Sequence, residues 1–139
     1  MKESNKHLFF LHLAAISGMF AVILGAFGAH QLKKILSPED ITIYETGIRY
    51  QFYHTFALLA VGMLLYLKPS SLLIKSGYAF AVGILLFCGS LYGLSLRSIC
   101  EFNLNRLGPI TPIGGLFFIM GWLLLLLSLK NFNHQNSNS

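Results

Sequence analysis

Acidic residues are scarce in this chain: five Asp and Glu stand against ten Lys and Arg in 139 residues, and only 11% of positions are charged. An ordinary soluble domain carries about a quarter charged residues, so the shortage excludes a conventional water-facing surface. Charge is absent altogether from four stretches, 7–32, 50–67, 76–96 and 107–129, which hold 26, 18, 21 and 23 residues. About 20 largely apolar residues cross the ~30 Å hydrocarbon core, so all four reach the length of a span, the second only just.

Other absences narrow the function. No Asp or Glu lies inside any of the four stretches. Proton-coupled export normally relies on a membrane-embedded carboxylate, so that class is not expected. The two cysteines, Cys88 and Cys100, are too few and too far apart for a disulfide framework, a CxxC redox pair or a zinc site. The connections between the stretches are too short for an extramembrane module, and the chain is one membrane domain over 1–130. No cofactor and no metal are expected.

The net charge of +5 would suggest nucleic acid in a soluble protein. Here the basic residues stand singly, or as one pair, beside apolar runs, and they read as membrane flanks. The expected partner is the lipid bilayer, with no nucleic acid. The first apolar run, 8–29, is 22 residues long. A secretory signal core takes about 7–15, so this run is read as a retained transmembrane helix.

Within the first span Ala14, Gly18, Ala21, Gly25 and Gly28 recur at spacings of four and three. That spacing lines one helix face with small residues, where a neighbouring helix can approach closely. Gly89 and Gly93 form a GxxxG pair in the third span, and Gly114 with Gly115 opens the fourth; all are read as helix-packing positions. Ser37-Pro38-Glu39-Asp40 supplies a hydroxyl cap, a proline at the first helical position and acids in the first turn. A short interfacial helix over about 38–49 should follow, with nothing to stop it before the second span. Glu45 and Arg49, at i and i+4, can pair on its wet face. Lys68-Pro69 ends the second span. Thr111 should cap a fourth helix with Pro112 at its first position.

These signals give an all-α, four-helix transmembrane bundle with spans of about 8–30, 50–67, 76–96 and 110–129 and a disordered tail over 131–139. Orientation is not settled by counting, since basic residues split five and five between the two sides. Glu39, Asp40, Glu45 and Glu101 share the side opposite the termini, which leans the reading towards cytoplasmic termini.

On that opposite side the sequence gathers polar side chains: His30, Tyr50, Gln51, His54 and Thr111, with Arg97, Cys100 and Glu101 in the connection. Polar groups at membrane depth are costly and are functional candidates. Two roles fit them, a ligand or transport site, or hydrogen-bonded glue between helices. His12, near the start of the first span, reads as an interfacial packing residue. His30 and His54 are the one histidine pair that could ligate haem, and no CxxCH accompanies them. The amino end of the fourth helix, with Thr111, Gly114 and Gly115 near Arg97 or Arg106, fits either simple capping or an anion site.

The blocks Gly25-Ala26-Phe27-Gly28-Ala29-His30, Tyr50-Gln51 with His54, Gly89-Ser90-Leu91-Tyr92, Thr111-Pro112-Ile113-Gly114-Gly115 and Gly121-Trp122 resemble the domain of unknown function 423 family. These are small YgdD-like bacterial inner-membrane proteins, similar also to eukaryotic transmembrane protein 256. The likeness runs from about Leu8 to Leu125. It implies a four-helix integral protein of the bacterial plasma membrane and implies no activity. Cys88 stands where a serine is expected, and the third connection is longer than the pattern. The function expected is a non-enzymatic accessory or interaction protein, self-associating through the Gly89 and Gly93 face or bound to another membrane protein. The alternative is a small transporter, channel or ligand-binding protein using His30, Gln51 and His54.

Overall fold

Long uncharged runs leave the backbone one way to satisfy its own hydrogen bonds in hydrocarbon, the α-helix, and the two prolines of the last run, Pro109 and Pro112, stand just before its helix and in its first turn. A computed structural model describes residues 5–100 and 104–136. It contains α1 (Lys6–His30), α2 (Pro38–Leu67), α3 (Ser71–Gly83), α4 (Gly89–Ser95) and α5 (Ile110–Asn136), with short 3-10 turns at Leu32–Lys34 and Leu104–Leu107. A π-helical turn over Ile84–Cys88 joins α3 to α4, so the third crossing is one rod from Ser71 to Ser95. There are four helices long and apolar enough to cross a membrane, and no strand occurs among the described residues. The fold is a four-helix transmembrane bundle.

The expected interfacial helix runs straight into the second span. Segments 38–49 and 50–67 form the single 30-residue α2. Ser37 accepts a hydrogen bond from the Asp40 N–H at 3.1 Å and Pro38 stands at the first helical position. Gly47, the one weak helix former on the way, is buried where an added Cβ would meet the Tyr92 ring at 2.7 Å. At the other end the expected disordered tail over 131–139 differs in its first part: α5 runs on through Asn136, and 137–139 lie outside the described residues. No proline or glycine follows Gly121, so nothing interrupts the i to i−4 ladder at Asn131.

Two of the four crossings lie inside the bundle and two outside. The inner helices α2 and α3 bury 44% and 39% of their membrane-crossing windows, the outer α1 and α5 only 17% and 22%. The seam of α1 lies along α2. Ala14, Ala21 and Gly28 are buried, Gly18 approaches Thr55 and Gly25 approaches Ile48, and a Cβ on Gly28 would collide with the Tyr44 ring. On the other side α5 lies along α3, with Gly121 against Phe80, Gly83 against Phe118, and Gly114 against the Phe87 backbone so closely that a Cβ would strike it. Gly115 has ordinary contact with Phe87 at 3.8 Å and Gly93 abuts Leu107.

Gly89 meets no neighbour within the chain: an added Cβ there would find nothing within 4 Å. The reason lies in how α1 meets α3. Phe10 packs on Gly77 and Tyr78 near the terminal side of the membrane. Further along the two rods are bridged by a cavity of about 450 Å³ lined by Leu13, Phe20 and Leu24 on one wall and Ile84, Leu85 and Gly89 on the other, with Gln51 and Leu58 in its lining. Outside, Phe56, Met63, Leu116 and Ile119 are among many large apolar side chains left exposed by the chain itself. The bilayer covers these.

Candidate functional site

The polar residues on α2 divide between its two neighbours. Gln51 turns to α1 and α4: its Nε2 donates to the Ser17 carbonyl at 2.9 Å and its Oε1 accepts the Tyr92 hydroxyl proton at 2.6 Å. One turn further, the Thr55 hydroxyl meets the Ser17 hydroxyl at 2.6 Å. Gln51, Thr55 and Ser17 are all buried.

His54, three residues along, turns to α5. Trp122 Nε1–H donates to His54 Nε2 at 3.3 Å, and His54 Nδ1 lies 2.8 Å from the Tyr50 carbonyl oxygen. An indole nitrogen can only donate, so Nε2 is the acceptor and the proton sits on Nδ1. The imidazole lies flat on Phe118, with ring centres 3.4 Å apart and planes 6° apart. Tyr50 is half exposed, stacked at the edge of the same aromatic group against Phe87 at 4.7 Å.

The other two residues of the expected cluster lie elsewhere. His30 is exposed at the end of α1, and neither it nor His54 lines the cavity between α1 and the third crossing. Thr111 does not cap α5, which starts one residue earlier at Ile110. Its Oγ1 instead meets the Ser90 hydroxyl at 2.7 Å, tying α5 to α4. His12 is exposed, with Nδ1 2.7 Å from the Leu8 carbonyl oxygen of its own helix. Glu101 lies outside the described residues. Among the described residues no three His, Cys, Asp or Glu converge as metal ligands.

Sequence reasoning missed a charged lock at the surface on the same side. Arg97 Nη2 donates to Glu39 Oε1 at 2.7 Å, and its Nε stands 3.1 Å from Asp40 Oδ1. That second contact is ionic without hydrogen-bond geometry. The Asp40 side chain is only 3% exposed. The hydrogen bond to Glu39, with Asp40 adding to it, holds the Arg97 guanidinium above its ordinary pKa. Acids in the first turn of a helix signalled a start, and nothing local named a partner 58 positions from Glu39 and 57 from Asp40. The expected Glu45–Arg49 pair is not formed among the described residues; Arg49 Nη2 donates to Thr46 Oγ1 at 3.2 Å instead. Trp122, Tyr92 and Ser17 were also missed as polar partners, although a tyrosine or tryptophan at membrane depth usually needs somewhere to place its one polar hydrogen.

The bundle that holds these contacts has known relatives. Residues 24–115 match the family described as "Protein of unknown function (DUF423)". The chain belongs to that family. It is 40% identical over 124 residues to a UPF0382 membrane protein of Staphylococcus epidermidis, covering 88% of this chain and 96% of that one. It is 43% identical over 116 residues to one of Haemophilus influenzae, covering 84% and 89%. It is 40% identical over 132 residues to the UPF0382 inner membrane protein YgdD of Escherichia coli, covering 91% and 97%. No solved structure matches. The family and the four crossings together make this chain a multi-pass protein of the bacterial plasma membrane.

Proposed function

We propose that this family member is a non-enzymatic accessory protein of the membrane, acting through its outer surface on another membrane component, and that His54, Gln51 and Thr111 are structural. One observation carries the reading: each polar group of Gln51 and His54 already has a partner inside the bundle. A binding or transport site keeps polar atoms available to its ligand, whereas interhelical glue uses them up. The cavity of about 450 Å³ presents mainly aliphatic and aromatic walls, which suits contact with hydrocarbon better than passage of an ion.

The test is affinity capture from native membranes, with mass spectrometry of proteins and small molecules, on wild type and on a Gln51→Leu variant of verified helicity. The reading expects a protein partner, at reproducible stoichiometry, retained by both. A polar small molecule held by wild type and released by the folded variant would overturn it.

A further inference from the structure

A second cavity, of about 260 Å³, opens on the outside of the α1–α2 contact and is lined by Gly25, Gly28, Tyr44, Ile48, Glu45 and Arg49 among others. Its depth follows from the charges. Arg49 and Lys68 bracket the uncharged part of α2, and 19 residues of helix separate them by about 28 Å, close to the ~30 Å hydrocarbon core. Arg49 therefore stands at the boundary between hydrocarbon and headgroups, on the side opposite the termini. Glu45 lies one turn further out, about 6 Å along the axis. On α1, Gly25 faces Ile48 at 3.8 Å, which sets the small residues of the cavity wall at headgroup level too.

Both charged side chains are exposed, and among the described residues neither has an ion-pair partner. Arg49 uses one Nη2–H on Thr46, and a guanidinium has five donors. Tyr44 is fixed as part of the wall, since its hydroxyl donates to the Leu24 carbonyl at 2.7 Å. The cleft thus offers a cation at the hydrocarbon boundary and an anion one turn outside it, beside a floor without bulky side chains on α1.

A phospholipid carrying a primary amine has the complementary order, its phosphate nearer the acyl chains and its ammonium further out. We propose that this cleft holds the headgroup of a zwitterionic aminophospholipid, with the phosphate on Arg49 and the ammonium on Glu45. A headgroup bearing only the phosphate leaves Glu45 facing it without compensation, so the site discriminates against anionic lipids instead of collecting them. This inference does not depend on the accessory role.

The experiment is native mass spectrometry of the delipidated protein in detergent, with dioleoyl phosphatidylethanolamine and dioleoyl phosphatidylglycerol offered at equal concentration. Wild type should retain the ethanolamine lipid at least threefold over the glycerol lipid. Glu45→Gln should remove that preference, and Arg49→Gln should lower retention of both. Both side chains are exposed, so helicity by circular dichroism should match wild type in each variant. Equal retention of the two lipids by wild type, a preference for the glycerol lipid, or unchanged retention in both variants would overturn the proposal.

Discussion

The indole N–H of Trp122 points at Nε2 of His54 across 3.3 Å, and this contact between α5 and α2 settles which histidine nitrogen carries the proton. Nδ1 then donates to Tyr50 within its own helix. Trp122→Phe keeps an aromatic ring, though a smaller one, and removes the donor. Interhelical hydrogen bonds in membrane proteins are worth about 0.6 kcal/mol on average and at most ~1.7. Trp122→Phe should therefore cost about 1 kcal/mol in a reversible unfolding assay in bicelles. His54→Ala, which also removes the face-to-face stack on Phe118, should cost clearly more.

Gln51 and Tyr92 should be energetically coupled. Tyr92→Phe leaves Gln51 Oε1 buried without its donor, and Gln51→Leu leaves the Tyr92 hydroxyl without its acceptor. The two single losses should add up to more than the double variant loses, with a coupling of about 0.5–1.5 kcal/mol. A double-mutant cycle on unfolding free energy checks this, and strict additivity would speak against the bond.

Glycine positions should respond very unequally to alanine. A Cβ on Gly114 strikes the Phe87 backbone, which cannot step aside as a flexible side chain can. Gly114→Ala should cost about 1–3 kcal/mol, the usual range for overpacking. Gly89→Ala enters open space and should stay within about 0.5 kcal/mol of wild type. Thermal unfolding of the two variants side by side measures the contrast.

The two cysteines make a topology probe without further engineering. Cys100 is exposed on the side opposite the termini and Cys88 is buried in the third crossing. With cytoplasmic termini, a membrane-impermeant maleimide applied to spheroplasts should label Cys100 and leave Cys88 unmodified. Labelling only after the membrane is broken would reverse the orientation.

The surface lock should matter to the connections. Arg97→Ala leaves Asp40 buried at the start of α2 without its counter-charge, so the thermal midpoint should fall. Arg97→Lys should recover only part of the loss, since an ammonium cannot reproduce the guanidinium's planar reach to two carboxylates. Asp40→Asn in the Arg97→Ala background should be milder than Arg97→Ala alone.

What could be read from the sequence was what is periodic or local. Charge gaps mark crossings because hydrocarbon excludes charge everywhere along a helix, and Ser37-Pro38 marks a helix start through its own backbone. The α1 seam was visible because its period matches the helix. Contacts between distant segments were not visible. His54 and Trp122 stood in the sequence as separate features 68 positions apart, and their pairing needs the crossing of α2 and α5. His30 was grouped with them by depth alone, yet helix rotation turns it outward. The π turn at Ile84–Cys88, an irregularity of a single turn, has no residue pattern of its own in the sequence. It went unforeseen, as did the opening beside Gly89.

The interior polar residues are committed to one another. Nitrogen-15 chemical shifts of His54 at neutral pH, in wild type and Trp122→Phe, test it most directly. Wild type should show a neutral ring with the proton on Nδ1, and removal of the indole donor should shift Nε2. A wild-type ring protonated on Nε2, or on both nitrogens, would contradict it.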